Sequence, residues 1–359
     1  MPSLSNILRN TPRIALTGIA VATVTTAALL AAPLPPPDQK ADAQMKAVLE
    51  QLVALKPKPI EKLTPAEARK QPGPPDAVKA LLKKKNGGTL PPPEPVASVK
   101  DSTVPGPGGP IPVRVYTPSG TGPFPVLVYA HGGGWVIAGI QAYDSSCRAL
   151  ANAAKCVVIS VGYRMAPEHR FPAAHEDMYA ATQYVMKNAA QFGGNPKKVA
   201  IGGESAGGNM ATAVCLMARD RKGMMPVHQL LIYPVADTNP NTPSLQANAT
   251  AIPLNKPMVP WFLKYTLANP SQKDSKYLAV LRNPSLKGLP PATVITAEID
   301  PLMSEGQAYA NRLVASGVPT RYKHYTGVTH EFFGMGAVVD KAKEAVNFAA
   351  AGLQKSFNK

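Results

Sequence analysis

The sequence predicts an α/β fold built on a mostly parallel, eight-stranded sheet flanked by helices. Three observations predict it. From Pro125 onward, apolar runs of strand length alternate with segments of helical periodicity, the pattern of a parallel sheet covered on both faces. Upstream, two short runs around a Pro/Gly-rich turn read as an antiparallel hairpin, which brings the strand count to eight. At 359 residues, 45% of them hydrophobic, the chain is also long enough to bury a large core.

The elements follow in order. Residues 33–125 are rich in proline and lysine. Within them, "AQMKAVLEQLVAL" (43–55) spaces its apolar residues helically, and 72–82 predicts a second short helix. Neither builds a core alone, so this region is expected to pack over the rest of the chain. "VASVKD" (96–101) and "IPVRVY" (111–116) flank "VPGPGGP" and form the hairpin. Six strands are then predicted at 126–130, 156–161, 198–203, 230–235, 292–297 and 320–325. Helices are predicted near 143–154, 172–190, 206–221, 303–316 and 340–355. Residues 238–289 break the rhythm. They are too long for an ordinary connection and carry the amphipathic "VPWFLKYTL", which marks a lid or binding insertion. The resulting division is an N-terminal cap segment (44–95), a core (96–237 and 290–359) and a cap insertion (238–289). No internal repeat is present.

The N-terminus reads as a signal peptide over residues 1–43. Arg9 and Arg13 precede an uncharged stretch, Ile14 to Ala32, and Ala41-Asp42-Ala43 forms an A-x-A-type cleavage site. A cut after Ala43 is the first choice and one near Ala32 the second. A retained anchor is the alternative, since 19 residues suffice to span a bilayer. The chain is therefore expected to be exported, to the periplasm or beyond.

Charged residues make up 17%, yet the net charge is +16. Lys56, Lys58, Lys62, Lys79 and the run Lys83-Lys84-Lys85 carry no interleaved aromatics and no nucleic-acid motif, so nucleic acid is not an expected partner. They read as a solvated basic face, with electrostatic association to an anionic envelope left open. Cys147, Cys156 and Cys215 are too few, and odd in number, for a disulfide framework. They read as small buried hydrophobes, with a Cys147–Cys156 pair as the alternative.

The chemistry concentrates around "IGGESAGGNM" (201–210). A lone G-x-S-x-G is weak, but here Ser205 falls between a buried strand and a helix, where a tight elbow lifts a hydroxyl clear of the sheet. Gly203 and Gly207 permit that turn. A serine needs a base, and the base an orienting acid. Asp300 and His330 follow later strands in the required order. Glu298 is the rival acid, two residues early. His324 lies within a predicted strand and His228 begins one, both as structural residues, and His175 opens a helix as a surface residue. "HGGGW" (131–135) follows a strand and can supply an oxyanion hole: the N–H groups of Gly132, Gly133 and Ala206 are expected to converge on a carbonyl oxygen. No P-loop lysine or Rossmann spacing accompanies these glycines, and the chemistry requires neither metal nor cofactor.

Taken together, "HGGGW", "VGYRMAPEHRFPAAHED" (161–177), "GGESAGGN", "LPPATVITAEIDPL" and "GVTHEFF" resemble the bacterial hormone-sensitive-lipase-like esterases of the α/β-hydrolase fold. The resemblance runs from about Val96 to Phe348. It implies Ser205 as nucleophile, His330 as base, Asp300 as acid, and an oxyanion hole at Gly132, Gly133 and Ala206. It also implies a helical cap made by the N-terminal segment and the 238–289 insertion, over a pocket suited to short- and medium-chain acyl esters. Trp135, Trp261, Phe262 and Tyr265 are candidates to line that pocket, with packing of cap on body as the alternative role. Three positions depart from the family pattern. Glu204 replaces an aspartate and is expected to make a structural hydrogen bond, Glu331 replaces a glycine, and Ser304 stands where an acid is common. The same acyl-enzyme could pass to an alcohol acceptor, so an acyltransferase remains an alternative. A non-catalytic receptor fits less well, because all three triad members are present. The natural ester and the oligomeric state are left open.

Overall fold

The computed structural model describes residues 35–359. The apolar stretch 14–32, on which the signal-peptide reading rests, lies outside them. After a 3-10 turn at Pro36–Lys40 come α1 (Ala43–Ala54), α2 (Pro65–Ala68) and α3 (Pro74–Lys85). The core follows with β1 (Ser98–Val104), β2 (Ile111–Thr117), β3 (Phe124–Ala130), α4 (Asp144–Ala154), β4 (Val157–Val161), α5 (Ala173–Asn188), β5 (Gly194–Glu204), α6 (Ala206–Asp220) and β6 (Gln229–Ile232). The insertion holds α7 (Pro243–Ala247) and α8 (Met258–Thr266). The chain then closes with β7 (Ala292–Ile299), α9 (Met303–Ala315), β8 (Thr320–Thr329) and α10 (Asp340–Phe357).

One eight-stranded sheet runs in the order β1-β2-β4-β3-β5-β6-β7-β8. The hairpin pairs Ser98 with Thr117 and Val104 with Ile111, and β2 is antiparallel to β4. From β4 onward every pairing is parallel. The alternation of side chains along a strand divides the core into two layers. Leu127 and Tyr129 face α4, α10 and α1, whereas Val126 and Val128 face α5, α6 and α9. Because both faces are covered, β4 reads "VVISV" with every residue buried.

α1 inserts Met45, Val48, Leu49 and Leu52 into the layer that also holds Phe332 and Phe333, so the N-terminal segment is fastened to the body. Helix α1 starts at Ala43, the residue at which the signal-peptide boundary is drawn. Asp42 caps α1 by accepting the Met45 N–H, and the Asp42 N–H donates to the Gly327 carbonyl. Asp38 is fully buried and accepts the Ile252 N–H. Of the A-D-A triplet, Ala41 is buried, Asp42 half-buried and Ala43 exposed. The three cysteines are free and buried. Lys83, Lys84 and Lys85 occupy the last turn of α3, where positive charge complements the helix dipole. Among the described residues, no helix is long and apolar enough to cross a membrane.

Candidate active site

Ser205 stands between β5 and α6 with φ 57° and ψ −118°. Such a backbone costs about 1–3 kcal/mol and must be over-determined by its surroundings. Here the Ser205 N–H donates to the Ile232 carbonyl, and the Ser205 carbonyl accepts from Asn209 and Val235. A Cβ at Gly203 or at Gly207 would overlap the Ala130 carbonyl oxygen, so only glycine lets the elbow sit this close to β3.

His330 directly follows β8, and Asp300 directly follows β7. His330 Nε2 lies 3.0 Å from Ser205 Oγ, and His330 Nδ1 lies 2.8 Å from Asp300 Oδ2. The second Asp300 oxygen accepts the Leu302 N–H at 2.8 Å, which fixes the carboxylate plane. Burial works against the charged imidazole, yet the carboxylates of Asp300, Glu331 and Glu204 lift His330 above its ordinary value. Glu298, the rival acid, instead accepts the Gly327 N–H at 2.7 Å and braces β8.

The loop after β3 carries Gly132 and Gly133, the latter at φ 95°. Among the described residues, neither of their N–H groups has an acceptor within the chain. The ladder of α6 begins with Asn209 N–H to Ser205 C=O, which leaves the Ala206 N–H free as well. His131 supports the loop without facing the serine. Its Nδ1–H donates to the Gly132 carbonyl at 2.8 Å, its ring stacks on Tyr163 at 4.2 Å, and burial holds it neutral by lowering its pKa to about 4. From outside, the Phe262 ring packs directly on Gly134, and Thr266 donates to the Gly134 carbonyl.

An elbow serine, an imidazole and a carboxylate in series, beside free N–H groups at a helix N-terminus, are the parts of acyl transfer on this sheet topology. A family model described as alpha/beta hydrolase fold matches residues 127–334. The chain is 39% identical over 252 residues to the carboxylic ester hydrolase LipN of Mycobacterium tuberculosis, covering 68% of this chain and 67% of that one. It is 38% identical to the carboxylesterase NlhH of the same species, covering 69% and 79%. Among solved structures, the hyperthermophilic esterase of the archaeon Pyrobaculum calidifontis superposes with a TM-score of 0.79 at 35% identity, over 90% of this chain and 99% of that one. The ester-hydrolase EH1AB1 from the metagenome of Lake Arreo gives 0.79 at 36%, over 89% and 100%. The chain belongs to the hormone-sensitive-lipase-like esterases of the α/β-hydrolase fold. It is a carboxylic-ester hydrolase.

In this esterase a cavity of about 680 Å³ opens above Ser205 and His330, between the N-terminal cap segment and the insertion. Trp135 and Phe262 line it. The expectation for Trp261 and Tyr265 is corrected: neither lines the cavity. The Trp261 indole N–H donates to the Leu63 carbonyl at 2.9 Å, tying the insertion to the N-terminal segment, and its ring meets Tyr265 of the same helix at 4.9 Å. On α8, Met258, Val259, Phe262 and Leu263 face the cavity, while Trp261 faces the N-terminal segment.

Glu204, expected to make a structural hydrogen bond, accepts the hydroxyls of Tyr129 and Tyr233, and burial raises its pKa to about 7. Several other residues of the esterase site were not singled out from the sequence. Tyr163 donates to the His131 carbonyl at 2.9 Å. Tyr143 places its hydroxyl against Gly132 and donates to Glu331 Oε1 at 2.7 Å, linking the oxyanion loop to the loop after His330. Arg69 of the N-terminal segment donates to the carbonyls of Val136 and Ala166 and pairs bidentately with Glu168. His175 corrects a second expectation. It is buried rather than on the surface, with Nε2 3.0 Å from Asn209 Oδ1 and its ring beside Trp135. Stretch 161–177 is thus a hub: Tyr163 holds the oxyanion loop, Glu168 the cap, and His175 helix α6. His228 and His324 bond to threonines of β7, remote from Ser205.

Proposed function

We propose that the chain is an exported serine esterase that hydrolyses short- to medium-chain acyl esters through Ser205, His330 and Asp300. The observation that carries this reading is the continuous Ser205–His330–Asp300 hydrogen-bond chain at the floor of a capped cavity. Ser205 Oγ attacks the ester carbonyl as His330 Nε2 takes its proton. Asp300 holds the tautomer that carries the proton on Nδ1 and stabilises the imidazolium. The N–H groups of Gly132, Gly133 and Ala206 receive the oxyanion, each donor worth about 2.7–4 kcal/mol in the transition state. His330 then gives its proton to the leaving alcohol, and water repeats the sequence on the acyl-enzyme.

The cap, closed by Trp261 and Arg69, favours esters that fit a bounded cavity over long triglycerides. Export is proposed with cleavage near Ala32, because a cut after Ala43 would remove Asp38 and the Asp42 cap. A series of 4-nitrophenyl esters of rising acyl length, run beside Ser205→Ala, tests the function. Hydrolysis should peak below about ten carbons and vanish in the variant. Full activity in Ser205→Ala would sink the mechanism, and release of mixed esters when an alcohol is added would make the enzyme a transferase. N-terminal sequencing of protein recovered outside the cytoplasm tests the cleavage point.

A further inference from the structure

Glu331 is the residue whose position the triad does not require. It follows His330 with φ 69°, a left-handed conformation that a glycine adopts freely and a glutamate does not. A strained non-glycine residue beside reacting groups points to a use for its side chain. That side chain lines the cavity, retains 20% of its exposure and brings Oε1 to 3.9 Å from His330 Nε2. Tyr143 donates to the same Oε1, while Oε2 accepts no hydrogen bond from the described chain.

His330 Nε2 marks the leaving-group side, because the alcohol oxygen must come within about 3 Å of it to receive a proton. Substituents a few bonds beyond that oxygen therefore fall within reach of Glu331. Of the other cavity acids, Glu305 accepts the Ala236 and Asp237 N–H groups, Asp237 pairs with Arg282, and Asp76 is exposed on the cap. Glu61, in the turn at Ile60–Lys62 of the N-terminal cap segment, also lines the cavity, with Oε2 buried and without a hydrogen-bond partner among the described residues, but Glu331 is the acid that directly follows His330. The arginine at the cavity wall, Arg69, is held by Glu168 and two carbonyls. Lys56, Lys58 and Lys79 are exposed at the mouth, where salt screens them.

We propose that Glu331 forms an anionic alcohol-side subsite, so that the esterase prefers esters whose alcohol carries a cationic group close to the ester oxygen. This rests on the Ser205–His330 reading above, which places the leaving group beside His330. In water-excluded surroundings a carboxylate attracts such a group far more strongly than an exposed one does. The imidazolium formed in the reaction opposes a nearby cation, and Asp300 offsets that repulsion from the far side of the ring.

Two isosteric acetates test it: acetylcholine and its neutral carbon analogue, 3,3-dimethylbutyl acetate. The readout is the ratio of their kcat/KM values within each enzyme, so any change in the strength of His330 as a base cancels. Choline against 3,3-dimethylbutanol, as inhibitors of 4-nitrophenyl acetate hydrolysis, gives the same ratio without requiring turnover. The wild type should favour the cationic member about tenfold or more. Glu331→Gln and Glu331→Gly, the latter free of backbone strain, should bring the ratio near unity while still hydrolysing 4-nitrophenyl acetate. A wild type that does not discriminate overturns the proposal. So do variants that keep the ratio and lose rate equally on all esters, which would make Glu331 a water- or His330-positioning residue. Failure of the wild type on 4-nitrophenyl acetate itself would overturn the esterase mechanism, and this inference with it.

Discussion

Glu204 touches the proposed nucleophile through one peptide bond and yet points away from it, beneath β5, into the hydroxyls of Tyr129 and Tyr233. Removing it strands both buried hydroxyls. Glu204→Ala is expected to destabilise the fold by about 2–5 kcal/mol, while Glu204→Gln, which keeps the shape and an acceptor, should cost about 1 kcal/mol. Thermal or denaturant unfolding of the two variants checks this. At this scale Ser205, Asp300 and His330 were legible, because an elbow and two strand ends are local patterns with a required order. Tyr143 and Tyr233 were not. Their partners lie far away in sequence, at Glu331 and Glu204, and nothing local marks a tyrosine for such a role. His175 was misread for a related reason. Helical periodicity places it in the first turn of α5 but does not say that this turn is wedged between Trp135 and Asn209.

The N-terminal elements illustrate the next scale. The turn at Pro36–Lys40 carries one carboxyl into the interior, where burial lifts Asp38 to about 7 despite its bond from the Ile252 N–H. An acid whose folded pKa exceeds its unfolded value stabilises the fold most fully below the unfolded value, near 3.8, and that contribution is lost as pH rises through about 7. Asp38→Asn keeps an acceptor and has no charge to desolvate. Its stability relative to wild type, followed by thermal unfolding, should therefore climb between pH 4 and 7 and level off above, by on the order of 4 kcal/mol at most. Helices α1 and α3 were visible in apolar spacing, whereas their attachment was not. Arg69 reads as one of many surface cations until its carbonyl partners, Val136 and Ala166, are known. Ser304, which stands where the family commonly has an acid, accepts the Ser244 N–H through its hydroxyl.

At the scale of the molecule, three buried acids and three buried histidines among the described residues shift in opposite senses. Asp38, Glu204 and Glu305 are raised by burial to about 7, 7 and 8, and His131, His175 and His228 are lowered by burial to about 4, 4 and 3. Between roughly pH 4.5 and 6.5 the unfolded chain gains protons on the histidines and the folded chain holds them on the acids, so stability should be nearly flat. Above that window the folded acids ionise without compensation, and stability should fall through pH 7 to 8. Below it the unfolded carboxylates protonate while the buried histidines resist, and stability should fall again. Melting temperatures across pH 3–9 check the shape, and a single monotonic slope would contradict it. The α/β alternation was legible because each strand and helix declares its own period. The order β1-β2-β4-β3-β5-β6-β7-β8 is a property of the closed sheet, and no single segment declares it.

Phe262 rests on Gly134 and also walls the cavity. A lineage drifting toward bulkier esters by trimming this ring would uncover the loop that holds the oxyanion, so a broader diet and a slower enzyme would be inherited as one trait. Enlargement at Leu254 or Met258, which line the same cavity from the cap, offers an evolutionary route in which appetite and speed can part.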